Sequence, residues 1–249
     1  MIDFVAEWCG FSGEARAQVE ARMADAAALL RAEWASYWAE RELSAQGLRR
    51  FYETSHAVTY DLLGRALLAQ EQDWPQACDE WLARYGCQSV LDYGCGVGAF
   101  GFHLQTTSRY QVTLCDLPGR HRRVVERLAA RMPQVRVCEP EALAVREAYD
   151  AIVCLEVMEH VFDPAHVTTE LLRRLRPGGV FFASWSFPEG TQDNPLHLRG
   201  GWTNEGYQQF LEGQFGLEWV NRGSCWARVL RLARQSAGDL GRRPSGGKP

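Results

Sequence analysis

The sequence predicts an α/β fold in which a doubly wound, mostly parallel β-sheet follows a helical N-terminal segment. Two patterns carry this prediction. From Ser89 onward, short apolar runs of strand length alternate with stretches of helical periodicity, which is typical of parallel strands joined by crossover helices. Before Ser89, apolar residues recur at steps of three and four, which is the spacing of helices with one buried face.

Composition and charge narrow the class of protein. Of the 249 residues, 46% are hydrophobic and 23% are charged, which fits a globular domain with an appendage and excludes a mainly disordered chain. With 27 basic and 31 acidic residues, the chain has no general attraction for nucleic acid or anionic membranes. It also lacks a membrane-length apolar run and the basic start of a signal peptide, so we expect a cytoplasmic protein without a membrane partner.

The helical segment is predicted to cover residues 1–84. One helix is expected over residues 14–43, a second from about 48 to 68, and a third from about 73 to 86. On the second helix, steps of four place three ring side chains on one stripe: Tyr52, His56 and Tyr60. Because the first helix is long and amphipathic, we expect this segment to act either as a lid or as the interface of a homodimer.

The sheet is predicted from five apolar runs, followed by a helix that begins near Thr203. Two further strands are expected around a turn at 221–224, and the Gly/Pro-rich residues 236–249 are expected to be a disordered tail. The five runs are SVLDYG, YQVTLCD, VRVCE, YDAIVCLE and GGVFFASWSF.

A glycine-rich loop follows the first strand. Glycines at 94, 96 and 98 let backbone amides approach a ligand closely, and a carboxylate at Asp116, after the second strand, could accept hydrogen bonds from a ribose. The glycine loop and the Asp116 carboxylate together predict a nucleoside-binding site. Gly96, Gly98 and Gly101 also satisfy the dinucleotide pattern, but the acid at Asp92 would repel a pyrophosphate, which favours a cationic ligand.

The residues from Asp92 to Gly98 resemble the first motif of class I S-adenosylmethionine (SAM)-dependent methyltransferases. The segment 155–161, LEVMEHV, is similar to the EHV version of the fourth motif found in ubiquinone-biosynthesis methyltransferases, and 175–179, LRPGG, to the segment that opens the fifth strand. The resemblance covers roughly residues 85–235. It implies a Rossmann-like, seven-stranded sheet with an antiparallel last strand, and SAM as the cofactor.

The resemblance also implies which residues bind SAM. The glycine loop would lie under the cofactor, Asp92 would hold its methionine end directly or through water, Asp116 would hold its ribose, and Glu139 would lie at the rim of its adenine. Tyr60 is similar to a lid residue that contacts SAM. The full set of expected cofactor-binding residues is Tyr60, Asp92, Gly94, Gly96, Gly98, Asp116, Leu117, Glu139, Leu155 and Glu156.

The EHV segment suggests two kinds of chemistry. His160 is the candidate base, because it follows the fourth strand at the edge where open α/β sheets bind ligands. Glu156, Glu159 and His160 have the spacing of one helical face and, together with His197, could instead bind a divalent metal. In the alternative interpretation, these side chains only bond backbone amides or pack.

The sequence therefore predicts a methyltransferase that acts on a small organic acceptor, with oxygen as the expected acceptor atom. The alternatives are N- or C-methylation, methylation of an RNA terminus, an NAD-type oxidoreductase, and a noncatalytic fold that only binds another protein. Nucleic acid is not the expected partner because the chain is acidic.

Overall fold

The structure is a computed structural model that describes residues 2–232, apart from 72–73, 108, 144–146, 189–195, 199, 215–216 and 222–227. Its helices and strands are α1 (Phe4–Ser12), α2 (Arg16–Ala24), α3 (Ala26–Trp38), α4 (Ala45–Thr54), α5 (Ala57–Glu71), α6 (Trp74–Arg84), β1 (Ser89–Tyr93), α7 (Ala99–Leu104), β2 (Gln111–Cys115), α8 (Arg122–Ala129), β3 (Val135–Cys138), β4 (Tyr149–Leu155), α9 (Pro164–Leu172), β5 (Leu175–Ser184), α10 (Asn204–Gln214), β6 (Leu217–Asn221) and β7 (Arg228–Leu232).

The strands form one sheet in the order β3-β2-β1-β4-β5-β7-β6. Strands β1 to β5 pair in parallel, which confirms the predicted α/β fold with a parallel sheet. Strand β7 lies between β5 and β6 and runs antiparallel to both. The chain order reverses between β1 and β4, so the carboxyl ends of these strands border a crevice.

The sheet is buried on both faces because alternate residues of its strands join different hydrophobic clusters. Val90 and Val153 pack with α1, α5, α7 and α8 on one side, whereas Leu91 and Ile152 pack with α9 and α10 on the other. Phe4 and Trp8 of α1 belong to the first cluster. The N-terminal helices and the sheet therefore share a core.

The prediction of one helix over residues 14–43 was wrong. The chain breaks at Asp25, with φ −94° and ψ 6°, and continues as two helices, α2 and α3. Helix α1 was not predicted from the sequence, although its ends carry ordinary signals. The Asp3 carboxylate accepts a hydrogen bond from the Ala6 amide at 2.9 Å, and Gly13 ends the helix with φ 76°.

The expected second helix is likewise two helices, because Ser55 has extended backbone between α4 and α5. Its hydroxyl donates to Glu33 at 2.5 Å and accepts a hydrogen bond from the Val58 amide at 3.1 Å, which caps the start of α5. The proposed stripe of Tyr52, His56 and Tyr60 therefore does not exist.

Two other predictions concern segments outside the described residues: the turn after Asn221 and the tail at 236–249. The predicted start of a helix near Thr203 lies within the described residues. The Thr203 hydroxyl accepts a hydrogen bond from the Gly206 amide at 2.9 Å, at the start of α10. None of the helices in the described ranges is long and apolar enough to cross a lipid bilayer.

Candidate active site

A pocket of about 450 Å³ lies at the carboxyl ends of β1, β2 and β4. Its floor includes Gly94, and its cover is formed by α4 and α5, whose lining residues we call the roof. The roof consists of Ala45, Leu48, Arg49 and Tyr52 from α4 with Val58, Asp61, Leu62 and Arg65 from α5. A second cavity of about 580 Å³ lies beside α1 and α7, away from all the predicted site residues.

The glycine loop has the left-handed backbone that its sequence suggested, with φ of 71° at Gly94, 56° at Gly96 and 79° at Gly98. It is also tightly enclosed. A Cβ atom at Gly94 would lie 2.3 Å from Val157 Cγ2, and one at Gly96 would lie 2.9 Å from Leu62 Cδ2. The loop therefore packs directly against the β4 end and the roof.

Asp116 joins the end of β2 to this loop. Its Oδ2 atom accepts a hydrogen bond from the Gly96 amide at 2.6 Å, and Oδ1 accepts one from the Leu117 amide at 2.7 Å. Each carboxylate oxygen keeps the capacity to accept another bond. Gly94, Asp116 and Leu117 all line the pocket, so the structure brings these predicted residues together.

Asp92 differs from its predicted position, because it does not line the pocket. Its carboxylate lies below the loop, where it accepts a hydrogen bond from the Gly101 amide at 3.2 Å and is only 5% exposed. Burial raises the pKa of Asp92 to about 7. The side chain therefore supports the loop from below.

Glu139 also lies outside the pocket lining, which its neighbours Pro140 and Glu141 join instead. Its Oε2 atom lies 3.3 Å from Arg49 Nη2, and Arg49 also pairs with Glu141 and with Glu53. These ion pairs connect α4 to the segment that follows β3. The carboxylate predicted to be near an adenine is thus part of an ion-pair network.

Tyr60, which the resemblance implied as a cofactor contact, does not line the pocket. Its hydroxyl donates to Glu14 Oε1 at 2.8 Å and accepts from Arg22 Nη1 at 2.6 Å, on the side of α5 that faces α1 and α2. The next residue, Asp61, faces the pocket instead and pairs with Arg65 at 2.7 Å.

The end of β4 carries a strained residue. Glu156 has φ 54°, the only positive φ of a non-glycine residue within the described ranges. Its amide donates to the Ser184 carbonyl and hydroxyl oxygens, both at 3.1 Å. Leu155 and Glu156, two of the expected cofactor-binding residues, line the pocket. Burial, together with the nearby Glu156 carboxylate, raises the pKa of Glu159 to about 8.

His160 lines the same pocket, and one of its ring nitrogens forms a hydrogen bond with the backbone. Its Nδ1 atom lies 3.0 Å from the Leu196 carbonyl oxygen, which can only accept, so Nδ1 carries the proton and Nε2 keeps a lone pair. Burial, together with His197, lowers the pKa of His160 to about 3. The ring is therefore neutral near pH 7.

Glu159, His160 and His197 form a compact group whose candidate ligand atoms all lie within 4.8 Å of one another. Glu159 Oε1 accepts from the Ser186 amide at 3.1 Å, but its buried Oε2 has no hydrogen-bond partner in the part of the chain that is described. Two imidazoles and a carboxylate suit a divalent metal. Glu156, the fourth predicted ligand, is not part of this group.

Several pocket residues were not predicted from the sequence. Leu62 and Arg65 come from α5, whose packing on the sheet cannot be read from local periodicity, and His121 has no recognisable motif. One signal was available for α4, because Ala45, Leu48, Arg49 and Tyr52 recur at helical steps on one face.

Comparisons with known proteins agree with this geometry. Residues 91–183 match a family model described as a methyltransferase domain. A ubiquinone biosynthesis O-methyltransferase from Albidiferax ferrireducens is 38% identical over 104 residues, covering 39% of this chain and 41% of the relative. One from Serratia proteamaculans is 36% identical over 104 residues, covering 39% and 42%. The chain thus spans about two fifths of the length of these curated relatives.

Solved structures show the same fold over more of the chain. An O-methyltransferase family protein from Burkholderia thailandensis superposes with a TM-score of 0.63 at 16% identity, covering 87% of this chain and 72% of that one. Human N-acetylserotonin methyltransferase in complex with SAM gives a TM-score of 0.60 at 14% identity, covering 90% and 69%. At these identities, the likeness shows the fold alone.

Proposed function

We propose that this protein, whose residues 91–183 match a family model described as a methyltransferase domain, transfers a methyl group from SAM to an oxygen atom of a small organic acceptor. One observation carries the proposal: a carboxylate able to hold a ribose, Asp116, and a neutral imidazole with a free lone pair, His160, line the same pocket. The first suits the cofactor and the second suits an acceptor that must lose a proton.

The pocket residues fit SAM. Asp116 has unused acceptor capacity, and Leu117 and Leu155 offer apolar contacts for an adenine. Acidic side chains at Asp61 and Glu156 suit the positive charge of a sulfonium. When bound, SAM supplies an electrophilic methyl group, whose bond to sulfur breaks as the bond to the acceptor oxygen forms.

The proposed role of His160 follows from its tautomer. The Leu196 carbonyl holds the ring with Nε2 unprotonated, so this atom can take the proton that the acceptor hydroxyl releases. Because burial disfavours the imidazolium, we expect the proton to move only as the new carbon–oxygen bond forms. The Tyr52 ring meets His160 edge-on, with 6.2 Å between ring centroids, and closes this end of the pocket.

A metal-assisted version of the same reaction is the second candidate. Glu159, His160 and His197 would hold a divalent ion, because their candidate ligand atoms all lie within 4.8 Å of one another. Such an ion would polarise the acceptor oxygen and lower its pKa. His160 would then serve as a ligand, and its role as a base would be lost.

The test is transfer of labelled methyl from SAM into a metabolite-rich extract, with small products separated from RNA and protein. We expect label in the small-molecule fraction, and a fall of about 100-fold or more in His160→Ala. His103→Ala is the matched control, since His103 lines the other cavity. Label in RNA or protein would replace the proposed substrate class, and binding of NAD without SAM would contradict methyl transfer altogether.

The same assay with a chelator separates the two candidates. Full activity after metal removal would leave His160 as the base, whereas loss of activity that is restored by one divalent ion would make Glu159, His160 and His197 its ligands. Chemical identification of the labelled product distinguishes O-methylation from N- or C-methylation. The oligomeric state of the active protein would show whether the N-terminal helices also form a homodimer.

A further inference from the structure

His121 enters the pocket where its ring packs closely over Gly119. The ring turns back over Gly119, where a Cβ atom would lie 2.6 Å from His121 Cε1 and 2.8 Å from Nδ1. The residue stands immediately before α8, and it is only 4% exposed. The chain between Leu117 and α8 thus leaves room for an imidazole beside Asp116.

The Nε2 atom of this ring has no hydrogen-bond partner in the described part of the protein, although it is buried. It lies 4.0 Å from Asp116 Oδ2, which is too far for a direct hydrogen bond. A buried polar atom without a partner costs roughly 1–3 kcal/mol. Its position in the pocket lining suggests that a ligand provides the missing partner.

We infer that His121 and Asp116 together bind one ribose hydroxyl of the nucleoside cofactor. A hydroxyl oxygen can lie about 2.8 Å from both atoms, because two such contacts easily span their separation. The hydroxyl would donate to Asp116 Oδ2 and accept from the Nε2–H tautomer of His121. This inference rests on the proposed function, since it takes the cofactor to be SAM.

The charge state of the ring agrees with this arrangement. Burial lowers the pKa of His121, while Asp116 and Arg122 act on it in opposite directions. A neutral imidazole still carries one N–H donor. It can therefore bind a hydroxyl without placing a positive charge beside the sulfonium of SAM.

Calorimetric titration with S-adenosylhomocysteine, the demethylated product of SAM, tests the inference directly. Relative to the unmodified protein, His121→Phe should raise Kd about tenfold, which corresponds to about 1.4 kcal/mol. His121→Gln retains a donor near the Nε2 position and should stay within about threefold. His103→Phe, the same substitution outside the pocket, should leave Kd unchanged.

A double-mutant cycle with Asp116→Asn excludes a purely structural role for His121. If both side chains hold one hydroxyl, their effects on Kd will not be additive, whereas general loosening of the pocket would give additive losses. An unchanged Kd in His121→Phe, or additivity in the cycle, would overturn the inference and leave the proposed function standing. Failure of the unmodified protein to bind S-adenosylhomocysteine would overturn both.

Discussion

At the scale of single residues, the Tyr52 hydroxyl is the least satisfied group in the roof. It is buried and has no hydrogen-bond partner within the described residues. Burial raises the pKa of Tyr52, with the Glu159 carboxylate adding to the effect, so the group stays protonated. Among the described residues, none donates a hydrogen bond to this buried hydroxyl or accepts one from it.

Tyr52→Phe is accordingly expected to raise the free energy of unfolding of the ligand-free protein by up to about 1 kcal/mol, because it removes the unpaired oxygen and keeps the ring. Urea denaturation measures the change. Tyr110→Phe is the matched control with the opposite sign, since that hydroxyl donates to Asp79 Oδ1 at 2.5 Å. A loss of stability in Tyr52→Phe would mean that its hydroxyl is already bonded.

At the scale of elements, a hydrogen-bonded group joins three N-terminal helices and holds α5 in place. Trp8 Nε1 donates to Glu14 Oε2 at 2.8 Å, and Glu14 accepts from the Tyr60 hydroxyl of α5 and pairs with Arg22 of α2. The opposite side of α5 carries Leu62, which touches the glycine loop. The group thus fixes the roof from outside the pocket.

We therefore expect Tyr60→Phe to lower the free energy of unfolding by about 1–2 kcal/mol, because the partly buried Glu14 carboxylate loses a hydrogen-bond donor. The Kd for S-adenosylhomocysteine should change less than twofold, since Tyr60 does not line the pocket. Chemical denaturation and calorimetry on the same preparation separate the two effects. A large rise in Kd with normal stability would restore Tyr60 as a direct cofactor contact.

At the scale of the whole molecule, Asp92 couples the stability of the fold to pH. Its pKa rises from 3.8 to about 7 on folding because the carboxyl group is buried under the glycine loop. Between these values, the folded protein keeps a proton that the unfolded chain has released. The contribution of Asp92 to stability is therefore complete below pH 3.8 and is lost as the pH rises to about 7.

Asp92→Asn should remove that loss, so the stability of the variant relative to the unmodified protein should increase from pH 5 to pH 7, by at most about 1.4 kcal/mol per pH unit. Unfolding curves at several pH values measure the slope. Asp150→Asn is the control. Hydrogen bonds from the Ser89 and Gln88 amides and from Arg176 lower the pKa of Asp150. The contribution of Asp150 to stability is therefore lost as the pH falls, which is the opposite direction to that of Asp92. Equal slopes for Asp92→Asn and the unmodified protein would contradict the prediction.

The sequence by itself determined the parallel part of the sheet and the residues at its strand ends that line the candidate site. Apolar runs predicted β1 to β5. Parallel strands place their carboxyl ends at one edge of the sheet, so the sequence alone predicted that Gly94, Asp116 and His160 lie close together, and all three line the pocket. These residues follow directly from strand ends, so local pattern and sheet geometry suffice to locate them.

Only the tertiary structure decided the roof and the orientation of side chains around the loop. The break at Ser55 depends on Glu33 of a different helix, Tyr60 turns outward because Glu14 and Arg22 bind it, and His121 reaches Asp116 because Gly119 leaves room for its ring. Each result depends on a contact with another helix or on a fold-back of the chain. Helical periodicity shows which face of a helix is buried, but it does not show which other element that face packs against.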